Sequence, residues 1–217
     1  ETYNAIGTAI SDAGLQYTKI AILSENRPEW VISYGAIIGS ASVVIPLDKE
    51  LLPDQIQNFL QYSETEAIFC SGAYVEKVIS MDLPKIKSII CFDDPATKSV
   101  TDERCVWFAD LVKKGRELLE SGSTVFADSR YDSSKMCALL FTSGTTGTSK
   151  GVMLSEDNIT ANIKACCNMI QISPDNVLLS VLPMHHTYEL TAGQLSAIRI
   201  GVTICINNSL KYVMRNI

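Results

Sequence analysis

Histidine is nearly absent from this chain, with two in 217 residues, and none of its seven cysteines stands in a C-x-x-C pair. A structural zinc or iron–sulfur site therefore lacks its ligands. The cysteines (Cys70, Cys91, Cys105, Cys137, Cys166, Cys167 and Cys205) are odd in number and sit mostly inside apolar runs. They read as reduced core thiols of a cytoplasmic protein, not as a disulfide framework. Positive charge is also short: 18 Lys and Arg stand against 24 Asp and Glu, a net charge of −6, and no basic cluster occurs. That excludes a nucleic acid gripped through its phosphates. No amphipathic basic helix is visible either, so membrane contact is at most peripheral. With 12 Gly and 7 Pro the chain is no low-complexity polymer, and with 47% apolar residues it can bury a sizeable core.

The longest uncharged run, Trp30 to Leu47, approaches membrane-spanning length. It is interrupted by Ser33, Gly35, Gly39, Ser40, Ser42 and Pro46, and reads as a buried helix followed by a buried strand. No signal-peptide pattern is visible, and the chain opens on Glu1 without a methionine; the expectation is a piece of a longer protein.

Short β-branched runs alternate with amphipathic segments. Strands are predicted over Lys19–Leu23, Ser42–Ile45, Ala67–Cys70 and Ser88–Phe92. Pro28 and Pro53 each open a helix, because the N–H that proline lacks has no partner in a first turn anyway. Ile56, Phe59 and Leu60 share one face of the second of these, and a further helix lies near Tyr74–Ile79. The expected fold class is α/β, with a mainly parallel sheet or sheets flanked by helices in layers. Between Asp93 and Lys135 the chain turns more polar, with one helix around Val106–Leu119; this stretch is taken as a connection between a first sub-region, 1–130, and a second, 131–217. The second holds a strand Met136–Phe141, a strand Val152–Leu154, and a helix Asn158–Met169 with Ser155 as N-cap. A strand Val177–Val181 ended by Pro183, a helix, and a last strand Val202–Ile206 complete it.

Between two of those strands lies Thr142-Ser143-Gly144-Thr145-Thr146-Gly147-Thr148-Ser149-Lys150-Gly151. A turn needs neither this length nor this many hydroxyls. Glycines let successive backbone N–H groups converge on an oxyanion, hydroxyls add donors, and Lys150 adds a compact positive charge, so the segment suits polyphosphate. It is not a Walker A loop: Ser149 stands where the second glycine belongs and Gly151 where the magnesium-binding hydroxyl belongs. A solvated hairpin loop is the competing reading.

On these residues the chain resembles the adenylate-forming superfamily of acyl-CoA synthetases, luciferases and peptide-synthetase adenylation domains. T-S-G-T-T-G-x-x-K-G is similar to that family's phosphate-binding loop, with Ser149 where proline is usual and Glu156 where histidine is usual. Ile45-Pro46-Leu47-Asp48 is similar to its early V-P-L-D segment, where Asp48 is expected to be a turn or cap residue. Leu182-Pro183-Met184-His185-His186-Thr187-Tyr188-Glu189 is similar to its P-x-x-H-x-x-[GE] block, in the H-x-[FY]-E form typical of long-chain fatty acyl ligases.

The resemblance implies the large N-terminal domain of an AMP-forming acid–thiol ligase, incomplete over 1–217 and without the C-terminal domain. The implied chemistry is attack of a carboxylate on ATP to give an acyl-adenylate and pyrophosphate, then displacement of AMP by coenzyme A. A carrier-protein thiol as acceptor, or a non-catalytic nucleotide- or anion-binding module, are the alternatives. Thr142, Ser143, Gly144, Thr145, Thr146, Gly147 and Lys150 are implied in nucleotide binding, with Lys150, Thr145 and Thr146 acting on the departing pyrophosphate and Thr146 the candidate for a Mg2+ shell. His186 and Glu189 are implied to face the acyl substrate. The family's later adenine, ribose and hinge blocks do not occur before Ile217, so the chain alone is expected to be inactive.

Overall fold

The computed structural model describes residues 1–94, 100–130, 132–142 and 149–207. Seven strands form one sheet in the order β5-β4-β3-β1-β2-β6-β7. These are β1 (Lys19–Leu23), β2 (Val43–Leu47), β3 (Ala67–Cys70), β4 (Ser88–Cys91), β5 (Cys105–Trp107), β6 (Met136–Thr142) and β7 (Lys150–Ser155). All neighbours run parallel except the hairpin β6–β7. A separate parallel pair joins β8 (Val177–Ser180) to β9 (Thr203–Ile206). The helices are α1 (Thr2–Asp12), α2 (Pro28–Gly39), α3 (Pro53–Tyr62), α4 (Gly72–Ile79), α5 (Phe108–Glu120), α6 (Glu156–Met169), a π-helical segment Glu189–Leu195, and α7 (Ser196–Ile200).

Strand side chains alternate between two cores. On one face Ile20, Ile22, Val44, Phe69 and Ile90 meet α1, α2 and α5. On the other, Ala21, Leu23, Ile45, Ile68 and Ile89 meet α3 and α4. This two-sided burial explains why the strands read as continuous apolar runs. The first core also holds Trp30 stacked on Tyr34, ring centroids 5.5 Å apart.

The strand Lys19–Leu23, the helix starts at Pro28 and Pro53, and the N-cap are where the sequence put them: the Ser155 hydroxyl accepts from the Asn158 N–H at 3.2 Å. Other parts differ. Helix α1 had no counterpart in the sequence reading. The helix expected around Val106–Leu119 is α5, which packs on α1, but the stretch taken as a connection also holds β5, which extends the main sheet. Strands β6 and β7 join the sheet built by β1–β5, so the boundary drawn at 130/131 falls within one sheet. The cysteines divide: Cys70, Cys91 and Cys137 are buried, Cys105, Cys166 and Cys167 are half-buried, and Cys205 is exposed. No described helix is long and apolar enough to cross a membrane.

Candidate functional site

Parallel strands leave their carboxyl ends on one edge, and here the chain order reverses across β1: β2 lies on one side, β3 to β5 on the other. Ligands of open α/β sheets bind beyond the carboxyl ends of the strands, and here an open cleft of about 640 Å³ lies one strand away from that reversal, over β2, β6 and β7. Pro46, Leu47 and Asp48 at the end of β2 form one wall, Leu140, Phe141 and Thr142 at the end of β6 the other, with Phe59 of α3 beneath and Ser149, Val152, His185, His186 and Thr187 at the rim. Phe59 stacks on Phe141 at 4.0 Å between centroids, giving the cleft an apolar floor.

Thr142 and Lys150 stand opposite each other in the β6–β7 register, both exposed, and bracket the glycine-rich segment. Lys150 thus starts β7, two residues earlier than the sequence suggested, because the hairpin ladder runs up to the segment itself. Ser143, Gly144, Thr145, Thr146 and Gly147, named for phosphate, pyrophosphate and magnesium, lie outside the described residues.

The histidine segment is held from two sides. Asn26, just after β1, donates to the Leu182 carbonyl at 2.7 Å and accepts from the Met184 N–H at 2.9 Å. Across the cleft, His185 Nε2 lies 3.5 Å from Asp48 Oδ2. Asp48 also closes a turn, accepting the Glu50 N–H at 2.9 Å, the role expected of it. Burial pushes the His185 pKa below the usual histidine range, Asp48 opposes that shift, and His186 and Lys49 reinforce it. His186 is exposed at the rim; its Nδ1 accepts the Tyr188 N–H at 3.3 Å, so a neutral ring carries its proton on Nε2 and has a donor to offer. Neither Asn26 nor the Asp48–His185 pair was found from sequence: the partners are far apart in the chain and no local pattern joins them.

Glu189 departs from the expectation of a substrate-facing side chain. It begins the π-helical segment and is buried, its carboxylate accepting from Ser180 Oγ at 2.5 Å and from Gln194 Nε2 at 3.2 Å. It does not line the cleft. The Leu190 N–H bonds back to the His186 carbonyl, and that first turn carries Glu189 away from the face of His186. A side chain at Gly193 would strike the same carboxylate, 2.7 Å from Oε1.

A second charged cluster braces this edge of the sheet. Arg27 pairs with Asp93 at 2.7 Å and Glu29 at 2.9 Å and lies over the Phe92 ring, while Asp93 accepts the Gly72 N–H at 2.6 Å. The ends of β1 and β4 and the start of α4 are thereby tied together.

Residues 1–214 match the family model described as "AMP-binding enzyme". The chain is 32% identical over 195 residues to fatty acyl-CoA synthetase A of Dictyostelium discoideum, which covers 86% of this chain and 28% of that protein. It is 28% identical over 191 residues to 4-coumarate–CoA ligase 1 of Arabidopsis thaliana, covering 86% and 33%. Among solved structures, its fold is similar to the anthranilate CoA ligase AuaEII in complex with anthranoyl-AMP, with a TM-score of 0.83, 16% identity, and coverage of 99% of this chain and 40% of that one. A red-emitting luciferase from Phrixothrix hirtus gives 0.81, at 20% identity, covering 96% and 40%.

Proposed function

Because the chain belongs to the AMP-binding enzyme family and spans less than a third of the fatty acyl-CoA synthetase it matches, we propose that it is part of an ATP-dependent, AMP-forming fatty acid–CoA ligase. In the first step a carboxylate oxygen attacks the α-phosphorus of ATP and pyrophosphate leaves with the displaced electron pair. In the second, a coenzyme A thiol attacks the acyl carbon and AMP leaves. A carboxylate is a poor acyl donor; the adenylate supplies the leaving group.

The observation that supports this reading is the T-S-G-T-T-G-x-x-K-G sequence together with the placement of its described ends, Thr142 pairing with Lys150 in the hairpin while Thr142 and Ser149 line the cleft. Lys150 is free of the core, so its ammonium serves the charge that builds on the departing pyrophosphate, and donors of this kind are worth ~10²–10³ in rate each. Thr145 and Thr146 add hydroxyls, with Thr146 assigned to the magnesium shell. Among the described residues no three His, Cys, Asp or Glu side chains gather to hold a metal. Magnesium would come with the triphosphate and neutralise phosphate charge there, with Thr146 the residue that would reach its shell. His186 presents its Nε2–H toward the acyl carboxylate, and the floor of Phe59 and Phe141 receives apolar carbon. Glu189 serves this site from behind, fixing the helical segment that follows His186.

Titration of the chain with MgATP tests the reading. Lys150→Ala should weaken binding roughly tenfold to a hundredfold, the worth of one charge-assisted contact. Its melting temperature should be unchanged, since Lys150 is exposed. A collapse of the melting temperature with no effect on affinity would make the segment a structural hairpin. The full-length protein should release pyrophosphate only when a fatty acid is present; MgATP binding without release would identify a nucleotide-binding module.

A further inference from the structure

Side chains that serve a substrate must be held to within about 0.5 Å, and rigid elements usually do this. His185 and His186 lie on neither a strand nor a helix. Two kinds of contact hold the segment that carries them. Met184 and Leu190 are buried in the core that α1, α2 and α5 cover. Burial of apolar area is non-directional, so it presses the segment onto the sheet without fixing which way its carbonyls and histidines turn.

Direction comes from hydrogen bonds. The Asn26 carboxamide meets the two backbone groups that flank Pro183, donating to the Leu182 carbonyl and accepting from the Met184 N–H. From there His186 is one turn away, because its N–H bonds back to the Pro183 carbonyl at 3.0 Å. Asn26 is itself well placed to act as an anchor: it lies between β1 and α2, and the next residue, Arg27, is locked by Asp93 and Glu29. A carboxamide brings a donor and an acceptor side by side. Aspartate lacks the donor, and leucine, of nearly the same shape, lacks both.

We propose that Asn26 is a positioning residue of this site: acting through Leu182 and Met184, it sets the turn that aims His185 at Asp48 and His186 at the acyl substrate. The inference rests on the proposed function for the substrate, but not for the aim of His185.

Asn26→Leu, which keeps the shape and removes both hydrogen bonds, provides the test. NMR of the 217-residue chain reads the first consequence. Asp48→Asn removes the charge that raises the His185 pKa and should lower it, while His186 and Lys49, the other groups acting on that ring, stay in place. In the Asn26→Leu background the same substitution should move the His185 pKa by clearly less, because the ring no longer faces Asp48. An equal shift in both backgrounds, zero included, overturns the proposal, even if Asn26→Leu lowers the melting temperature as the loss of any structural hydrogen bond would. In the full-length protein Asn26→Leu should raise the KM for fatty acid roughly tenfold to a hundredfold, the cost of a misplaced contact. MgATP affinity should be nearly unchanged, since Thr142 and Lys150 stand on a different element. An unchanged fatty acid KM, or an equal loss for both substrates, overturns the assignment. If Asn26→Leu fails to fold, the wild type decides. Asn26 is half-buried, and its side-chain N–H should exchange roughly fivefold to tenfold more slowly than that of an unbonded asparagine; free exchange overturns the proposal. Should the full-length protein take no fatty acid while the Asp48–His185 coupling depends on Asn26, it is the proposed function that fails and not the positioning.

Discussion

His185 is the side chain whose chemistry depends most on its neighbours. Its pKa is held low by burial, with Asp48 pulling the other way. The folded state therefore binds this proton less readily than the unfolded chain does. Its contribution to stability is complete above the usual histidine range and is lost as pH falls from that range through the lowered folded value. Removing the opposing charge with Asp48→Asn should lower the His185 pKa further and leave the acid side of the stability profile steeper. Two histidines give two imidazole resonances, so NMR titration reads the shift directly. No shift, or an upward one, would mean that the 3.5 Å pair does not persist in solution. The pair was invisible in the sequence because its members are joined only by the fold. The glycine-rich segment, by contrast, was legible at once, since its residue types carry their own chemistry. Glu189 lies between these cases: its type suggested a site, and only the helical turn after His186 shows that it points elsewhere.

At the scale of elements, what the sequence made visible was what a single residue can announce. Pro28 and Pro53 mark helix starts because their ring suits the first turn. Strand β5 had no such marker: three half-buried residues at a sheet edge show neither alternation nor a long apolar run. Helix α1 carries Gly7 and several β-branched residues, and its helicity comes from packing on α5. That packing is close. A Cβ at Gly115 would come within 1.9 Å of the Ala5 carbonyl oxygen, which belongs to the backbone and cannot swing aside. Gly115→Ala should then cost about 1–3 kcal/mol, the usual penalty of overpacking, despite alanine's better helix propensity. Urea denaturation measures it, and a stabilised variant would show that α1 and α5 stand further apart. At the other end of the chain, Ser155→Ala removes the cap of α6 and should cost ~0.5–2 kcal/mol by the same measurement.

The whole molecule combines a braced edge with an open one. Asn26, Arg27 and Asp93 tie loops from β1, β4 and β8 together at the carboxyl edge of the sheet, and Asn26 holds the segment that brings the histidines to the cleft. Since the chain matches only 28% of the fatty acyl-CoA synthetase from Dictyostelium discoideum, it should bind MgATP without completing turnover. Pyrophosphate release by the 217-residue chain, with ATP and a fatty acid, at a rate of ordinary enzymes (about 1–10³ s⁻¹) would contradict that.

The β2–β6 register is a single pair, Val44 with Ala138, and this bears on the order of folding. Strands β1 to β4 follow one another through short α-helical crossovers, whereas β6 must find β2 from about ninety residues away, a loop-closure cost met before any long-range contact rewards it. With one pair of residues bridged, little hydrogen bonding drives that docking; it relies on burying Ala138, Leu139 and Leu140. The β6–β7 hairpin should accordingly join a nucleus already formed by β1 to β4. Truncations such as Leu140→Ala should then accelerate unfolding while leaving the refolding rate almost untouched.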